Sequence, residues 1–117
     1  MEFTMKLNSL PFEMIESGRK TIELRLYDEK RRKISVGDNI RFMLADDGSK
    51  ELNAIVKELY VFPSFEELYK ALPLTECGYT PDTVKNASPN DMQKYYTPEQ
   101  ERKYGVLGIK IEVLPDT

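Results

Sequence analysis

The chain has 117 residues, 40 % hydrophobic and 32 % charged, with a net charge of −3, the proportions of a single globular domain. It has no histidine and one cysteine, Cys77, which rules out an internal disulfide, Ser-His-Asp or Cys-His catalysis, and a conventional zinc site. Acid-base chemistry is left to carboxylates, lysines, tyrosines and Cys77, and neither a metal nor another cofactor is expected.

Phe3 to Leu7 reads as a first strand. Ser9 or Leu10 then caps a short helix with Pro11 in its first turn, where proline is tolerated. Phe12 and Ile15 share one face of it. Gly18 suits the left-handed position that ends such a helix. Thr21 to Leu26 alternates as a strand, with Ile22, Leu24 and Leu26 expected inward and Thr21, Glu23 and Arg25 on the other face. Tyr27 to Lys33 is polar and reads as a loop ending in the basic run Lys30-Arg31-Arg32-Lys33.

Ile34 to Asp38 reads as a turn into a strand, where Ile40, Phe42 and Leu44 alternate with Arg41 and Met43. Asp46-Asp47-Gly48 is a hairpin signal. The return strand, Glu51 to Phe62, changes phase. Leu52, Ala54 and Val56 share one parity and Ile55, Leu59 and Val61 the other, which predicts a bulge or bend. Pro63 ends it.

Three helix starts follow. Ser64 with Glu67 forms a capping box before the stripe Phe65, Leu68 and Leu72. Ser88-Pro89-Asn90-Asp91 and Thr97-Pro98-Glu99-Gln100 each place a cap residue before a proline, the second with Gln100 completing a box. Leu74 to Ala87 has little periodicity and reads as an irregular loop. Leu107, Ile109, Ile111 and Val113 alternate as a last strand, and Leu114 to Thr117 reads as a frayed tail. The expected fold is α+β: mainly β with inserted short helices, a small and mostly antiparallel barrel in one domain, 1–117.

No apolar run approaches the roughly 20 residues of a membrane helix. Met1 to Lys6 lacks a basic segment followed by an apolar one, so no signal peptide is expected. The expected compartment is the cytoplasm, with no membrane partner.

Chemistry concentrates between Arg19 and Lys33, where seven cations meet three anions on an acidic chain. Lys20, Glu23 and Arg25 are the leading candidates. Their ordinary reading is an exposed strand face, with Arg19 and Lys20 complementing a helix carboxy terminus. As a site, Arg25 offers a fork of donors to a phosphate or carboxylate. Lys20 could serve as base or nucleophile, and Glu23 could hold it charged or accept protons from a base amine. Lys20 and Glu23 converge only if Lys20 lies in the turn after Gly18, because residues three apart in a strand face opposite ways.

Arg31, Arg32 and Lys33 read either as a solvated loop or as a phosphate-contacting edge, with Tyr27 available to stack on a base. Tyr95, Tyr96 and Tyr104 read first as helix-packing residues, and nucleobase stacking is the alternative. Glu76 reads mainly as a loop carboxylate, with catalysis the minor alternative, and Cys77 as a buried thiol.

The runs Ser17 to Arg25, Ile34 to Phe42 and Tyr104 to Ile109 resemble the ASCH domain, a family of the PUA-like superfold. The Gly-x-Lys-x-x-Glu-x-Arg element, Gly18 to Arg25, carries the resemblance, which spans about Met5 to Val113. It implies a small β-barrel with a cleft between barrel and helices. It also implies recognition of RNA, a nucleotide or a modified nucleoside at a site bordered by Lys20, Glu23 and Arg25. Some family members are amidohydrolases on N-acylated cytidine nucleosides and others ribonucleases, which would cast Lys20 with Glu23 or Glu76 as catalytic. The amidohydrolase branch has a Thr three residues after the lysine, where this chain has Glu23; that departure favours recognition over hydrolysis. A protein-interaction module with an acidic exterior is the further alternative.

Overall fold

The computed structural model describes residues 1–48 and 50–115; Asp116 and Thr117 of the expected tail lie outside them. Strand β1 (Glu2–Leu7) leads through α1 (Ser9–Glu16) to β2 (Ile22–Leu26). A 3-10 turn at Arg31–Lys33 precedes the hairpin of β3 (Asn39–Leu44) and β4 (Glu51–Phe62). After α2 (Phe65–Ala71) come 3-10 turns at Leu74–Glu76, Val84–Asn86 and Pro89–Lys94, then α3 (Pro98–Tyr104) and β5 (Val106–Val113).

The five strands form one curled sheet in the order β1-β3-β4-β5-β2. Three pairings are antiparallel and one, β1 with β3, is parallel. The sheet is a half-barrel, and β1 and β2 are its two edges. The phase change in β4 is a register shift between Val56 and Glu58. It gives one strand two buried parities, so β4 can pair with β3 at one end and β5 along the other.

Local signals place the helices. Ser64 and Thr97 accept the amide protons of Glu67 and Gln100, and Thr97–Gln100 is a reciprocal capping box. Ser88 and Asp91 form another, although the element they start is a 3-10 helix. At α1 the cap residue is Asn8, not Ser9 or Leu10, and it makes no side-chain cap bond. Pro11 alone, which needs no amide partner in a first turn, does not distinguish these registers. Gly18 ends α1 at φ +83, a conformation glycine adopts without steric cost.

Two hydrophobic clusters hold the fold. The larger fills the sheet's concave side, where Phe12 and Ile15 of α1 meet Ile40, Phe42, Leu107 and Ile109. The smaller lies under α2, where Phe65 and Leu68 pack on Ile22, Leu24 and Leu26. Burying each such side chain contributes about 1.5–3 kcal/mol. Strand β2 is therefore covered on both sides, and its polarity differs from expectation. Its apolar residues face α2. Glu23 and Arg25 stand opposite Ile109 and Leu107 across the ladder, and so share the face of the larger core. An apolar set marks a buried face, but it does not say which of two coverings, barrel or helix, buries it.

Candidate functional site

Gly18 turns the chain so that Lys20 lies before β2 rather than within it, with its amide donating to Met14 O at 3.0 Å. That turn frees Lys20 from strand parity and lets it reach Glu23. Lys20 Nζ stands 2.7 Å from Glu23 Oε1, and Arg25 Nε stands 2.7 Å from Glu23 Oε2. The side chains of Glu23, Lys20 and Arg25 are only 4 %, 11 % and 15 % exposed, which makes this a nearly desolvated triad. Arg25 Nη2 also donates to Lys6 O at 3.2 Å, tying the two free edges of the half-barrel together. Gly78, at φ +115, crosses Lys20 so closely that a Cβ there would lie 3.6 Å from Lys20 Cδ.

Burial pushes the Glu23 carboxyl upward, but the charges and hydrogen bonds of Lys20 and Arg25 outweigh it and hold the group below the usual carboxylate range. Burial opposes the Arg25 charge, and the Glu23 carboxylate, helped by the Tyr96 hydroxyl, more than restores it. Both acceptor oxygens of Glu23 are thus engaged by cations. The triad carries one net positive charge and has protons on Lys20 and Arg25 left to donate.

These three residues line a cleft of about 490 Å³ together with Lys6, Asn8, Leu10 and Met14 from the early part of the chain and Tyr69, Tyr79, Asp91, Tyr95 and Tyr96 from the later part. Such a volume suits a small ligand. Four cationic side chains (Lys6, Lys20, Arg25, Lys94) and two anionic ones (Glu23, Asp91) line it, on a chain of net charge −3. The cleft is thus a local positive focus on an acidic molecule.

The Tyr79 hydroxyl donates to Asp91 Oδ2 at 2.6 Å and lies 2.8 Å from the Tyr69 hydroxyl. Burial, followed by the Asp91 and Tyr69 hydrogen bonds, pushes the Tyr79 phenol upward. The Tyr79 bond and the Ser88 amide hold Asp91 below the usual carboxylate range. Tyr96 stacks on Phe65, ring centroids 6.0 Å apart, while Tyr95 is 61 % exposed. Burial pushes the Cys77 thiol up to about 12, which leaves it an inert neighbour of the cleft.

The remaining sequence candidates lie apart from the cleft lining. Arg19 donates to Ser17 Oγ at the surface. Glu76 accepts from Thr21 Oγ1 at 2.9 Å and has Lys110 Nζ at 4.0 Å. Arg31 pairs with Asp28 at 2.8 Å. Arg32 donates to Tyr27 O and Tyr104 O and lies 4.4 Å over the Tyr27 ring, so that face of Tyr27 is covered. Lys33 is exposed. Tyr104 has the Lys103 ammonium 5.1 Å above its ring.

Sequence reasoning missed Tyr69 and Tyr79 and named Asp91 only as part of the Ser88 helix start. The Ser88–Asp91 spacing was the one available signal, and it says nothing of the cleft. Among the described residues no group of three or more His, Cys, Asp or Glu could hold a metal ion. No helix there is long and apolar enough to cross a membrane.

A mixed, mostly antiparallel half-barrel with short helices over its open seam and a charged cleft there is a PUA-like domain. The ASCH domain family matches residues 5–115, and the chain belongs to it. Among solved structures it is similar to the hypothetical protein PH0355, with 37 % identity, 97 % of this chain and 100 % of that one covered, and a TM-score of 0.79. It is also similar to protein PF0455 from Pyrococcus furiosus, at 38 % identity, with 97 % and 98 % covered and a TM-score of 0.74. An ASCH protein from Zymomonas mobilis, 14 % identical, with 95 % of this chain and 66 % of that one covered and a TM-score of 0.53, shares the fold. A comparison with curated proteins finds no match.

Proposed function

We propose that this domain binds RNA, a nucleotide or a modified nucleoside, with Lys20 and Arg25 holding a phosphate or base carbonyl in the cleft. The observation that carries this reading is the doubly clamped Glu23 carboxylate, with cations 2.7 Å from each oxygen. A carboxylate so occupied is a poor proton shuttle. Its work is to hold two cationic donors, partly desolvated, in one orientation before any ligand arrives. Donors fixed in advance recognise an anion without paying to order long side chains. The tyrosine rings of the cleft give a planar base a surface to lie against. The ASCH family is generally RNA-binding-like, in keeping with this chemistry.

Hydrolysis would use the same Lys20–Glu23 contact, but Glu76, the later glutamate it would call on, lies outside the cleft lining. Binding of a labelled single-stranded RNA and of nucleoside 5′-monophosphates to the wild-type chain and to Lys20→Ala tests the reading. Loss of one charge-assisted contact should weaken binding about tenfold and lower the salt slope by about one contact. Equal affinity in the two proteins would refute it. Release of cytidine from N-acetylcytidine by the wild-type chain alone would move the assignment to hydrolysis.

A further inference from the structure

The cleft lining comes from two parts of the chain. Lys6, Lys20 and Arg25 belong to β1, β2 and the turn before β2. Tyr79, Asp91 and Tyr96 come from the long segment between α2 and α3. Ligand binding through Lys20 and Arg25 makes no use of Asp91, yet Asp91 is held with care. Tyr79 has one hydroxyl proton and gives it to Asp91 Oδ2 at 2.6 Å. Tyr69 must therefore be the donor in its 2.8 Å contact with Tyr79, so both protons of the chain run toward the carboxylate. The Ser88 amide donates to the same oxygen at 3.2 Å. Among the described residues no hydrogen bond is made to Oδ1. The chain thus presents one fixed, charged acceptor beside the Tyr69 and Tyr79 rings.

We propose that Asp91 is a specificity-determining acceptor for an exocyclic amino group on a nucleobase whose phosphate or carbonyl end is held by Lys20 and Arg25. This rests on the nucleotide-binding reading above. The base, rather than the sugar, meets Asp91 because the Tyr69–Tyr79 hydroxyl chain ends on Asp91, which places those two rings beside the carboxylate. A planar base lies against the rings, and its sugar and phosphate then extend toward the cations. A base with an oxo group in place of the amine would set a carbonyl oxygen against the carboxylate, two acceptors with no proton between them. Sites built around a buried hydrogen bond reject the partner that lacks it. Amino-bearing bases are therefore selected over their oxo counterparts.

Calorimetric titration of the full chain with two amino/oxo pairs, cytidine against uridine 5′-monophosphate and adenosine against inosine 5′-monophosphate, tests this. In the tighter-binding pair the amino member should bind about tenfold better. In Asp91→Asn the side chain keeps its shape and an oxygen for Tyr79 and Ser88 but turns an amide NH2 toward the ligand, so the preference should vanish or invert. Tyr79→Phe, which leaves the carboxylate held by the Ser88 amide alone, should reduce it by a smaller factor. A purely structural Asp91 would lower the melting temperature and weaken both members alike, leaving the ratio intact, and that result overturns the proposal. So does a wild-type ratio near one, or a tenfold loss on removing the 2′-hydroxyl, which would give Asp91 to the sugar. Lys20-dependent binding without amino preference sinks this inference alone. Absence of any nucleotide binding sinks it together with the reading it rests on.

Discussion

Two charged segments lie within fifteen residues of each other and have opposite fates. Lys20, Glu23 and Arg25 are drawn into a nearly dry triad at the seam of the half-barrel. In Lys30–Lys33, the denser run, the arginines are spent on the segment's own surroundings. Arg31 holds Asp28, and Arg32 covers Tyr27 and ties it to Tyr104. Arg31 and Asp28 are 21 % and 25 % exposed, so water screens much of what they exchange. Charge density alone does not mark a site. What separates the two segments is how much solvent each has lost and whether donors are left over once local partners are satisfied.

The largest expected effect follows from removing the anion of the triad. Glu23→Ala leaves two cations buried side by side without their partner and should cost about 3–5 kcal/mol in urea unfolding. A loss under about 1 kcal/mol would mean the triad behaves like a surface pair and would erase the contrast. Arg25→Lys keeps the charge but loses the fork that spans Glu23 Oε2 and Lys6 O. It should cost about 2 kcal/mol, read from the same unfolding curves. A neutral result would show that the bridge between β1 and β2 does not hold the seam.

Acid should separate the segments next. The folded Glu23 carboxyl sits below the ordinary value for a glutamate. The unfolded chain therefore binds the proton first, and the contribution of Glu23 is full above about pH 4.5 and lost as pH falls through the lower folded value. Wild-type stability should fall more steeply below about pH 4.5 than that of Glu23→Gln; parallel curves would remove Glu23 from the acid response. The smallest effect belongs to the basic run. Arg31→Ala should change stability by about 1 kcal/mol or less and weaken nucleotide binding less than Lys20→Ala does. An equal or greater loss of affinity would return the basic run to the binding surface.

Most elements were legible because their causes are local. Alternation at Ile22–Leu26 and Leu107–Val113, the phase change in β4, the cap at Ser88 and the box at Thr97 all act within a few residues. The Gly18 turn belongs to the same class, and it set the condition under which Lys20 can meet Glu23. The burial of Glu23 was not legible. It depends on β5 pairing beside β2 and on α1 closing the concave side, more than 80 residues of chain folded back on itself. Asp91 stood only within the Ser88 helix start, and its place at the cleft needs Tyr79, twelve residues away across an irregular segment without periodicity.

The sequence by itself determined which segments become strands and helices, that chemistry without histidine must rest on carboxylate, lysine, arginine or tyrosine, and that Gly18 to Arg25 holds the leading candidates. Tertiary structure alone decided that Glu23 and Arg25 turn toward the barrel interior, that Arg31 and Arg32 are committed to Asp28, Tyr27 and Tyr104, and that Tyr79 and Asp91 line one cleft with Lys20 and Arg25. The division has one physical reason. Propensity and capping are set by neighbours along the chain, whereas desolvation, which decides what a charge can do, is set by whatever the fold stacks against it.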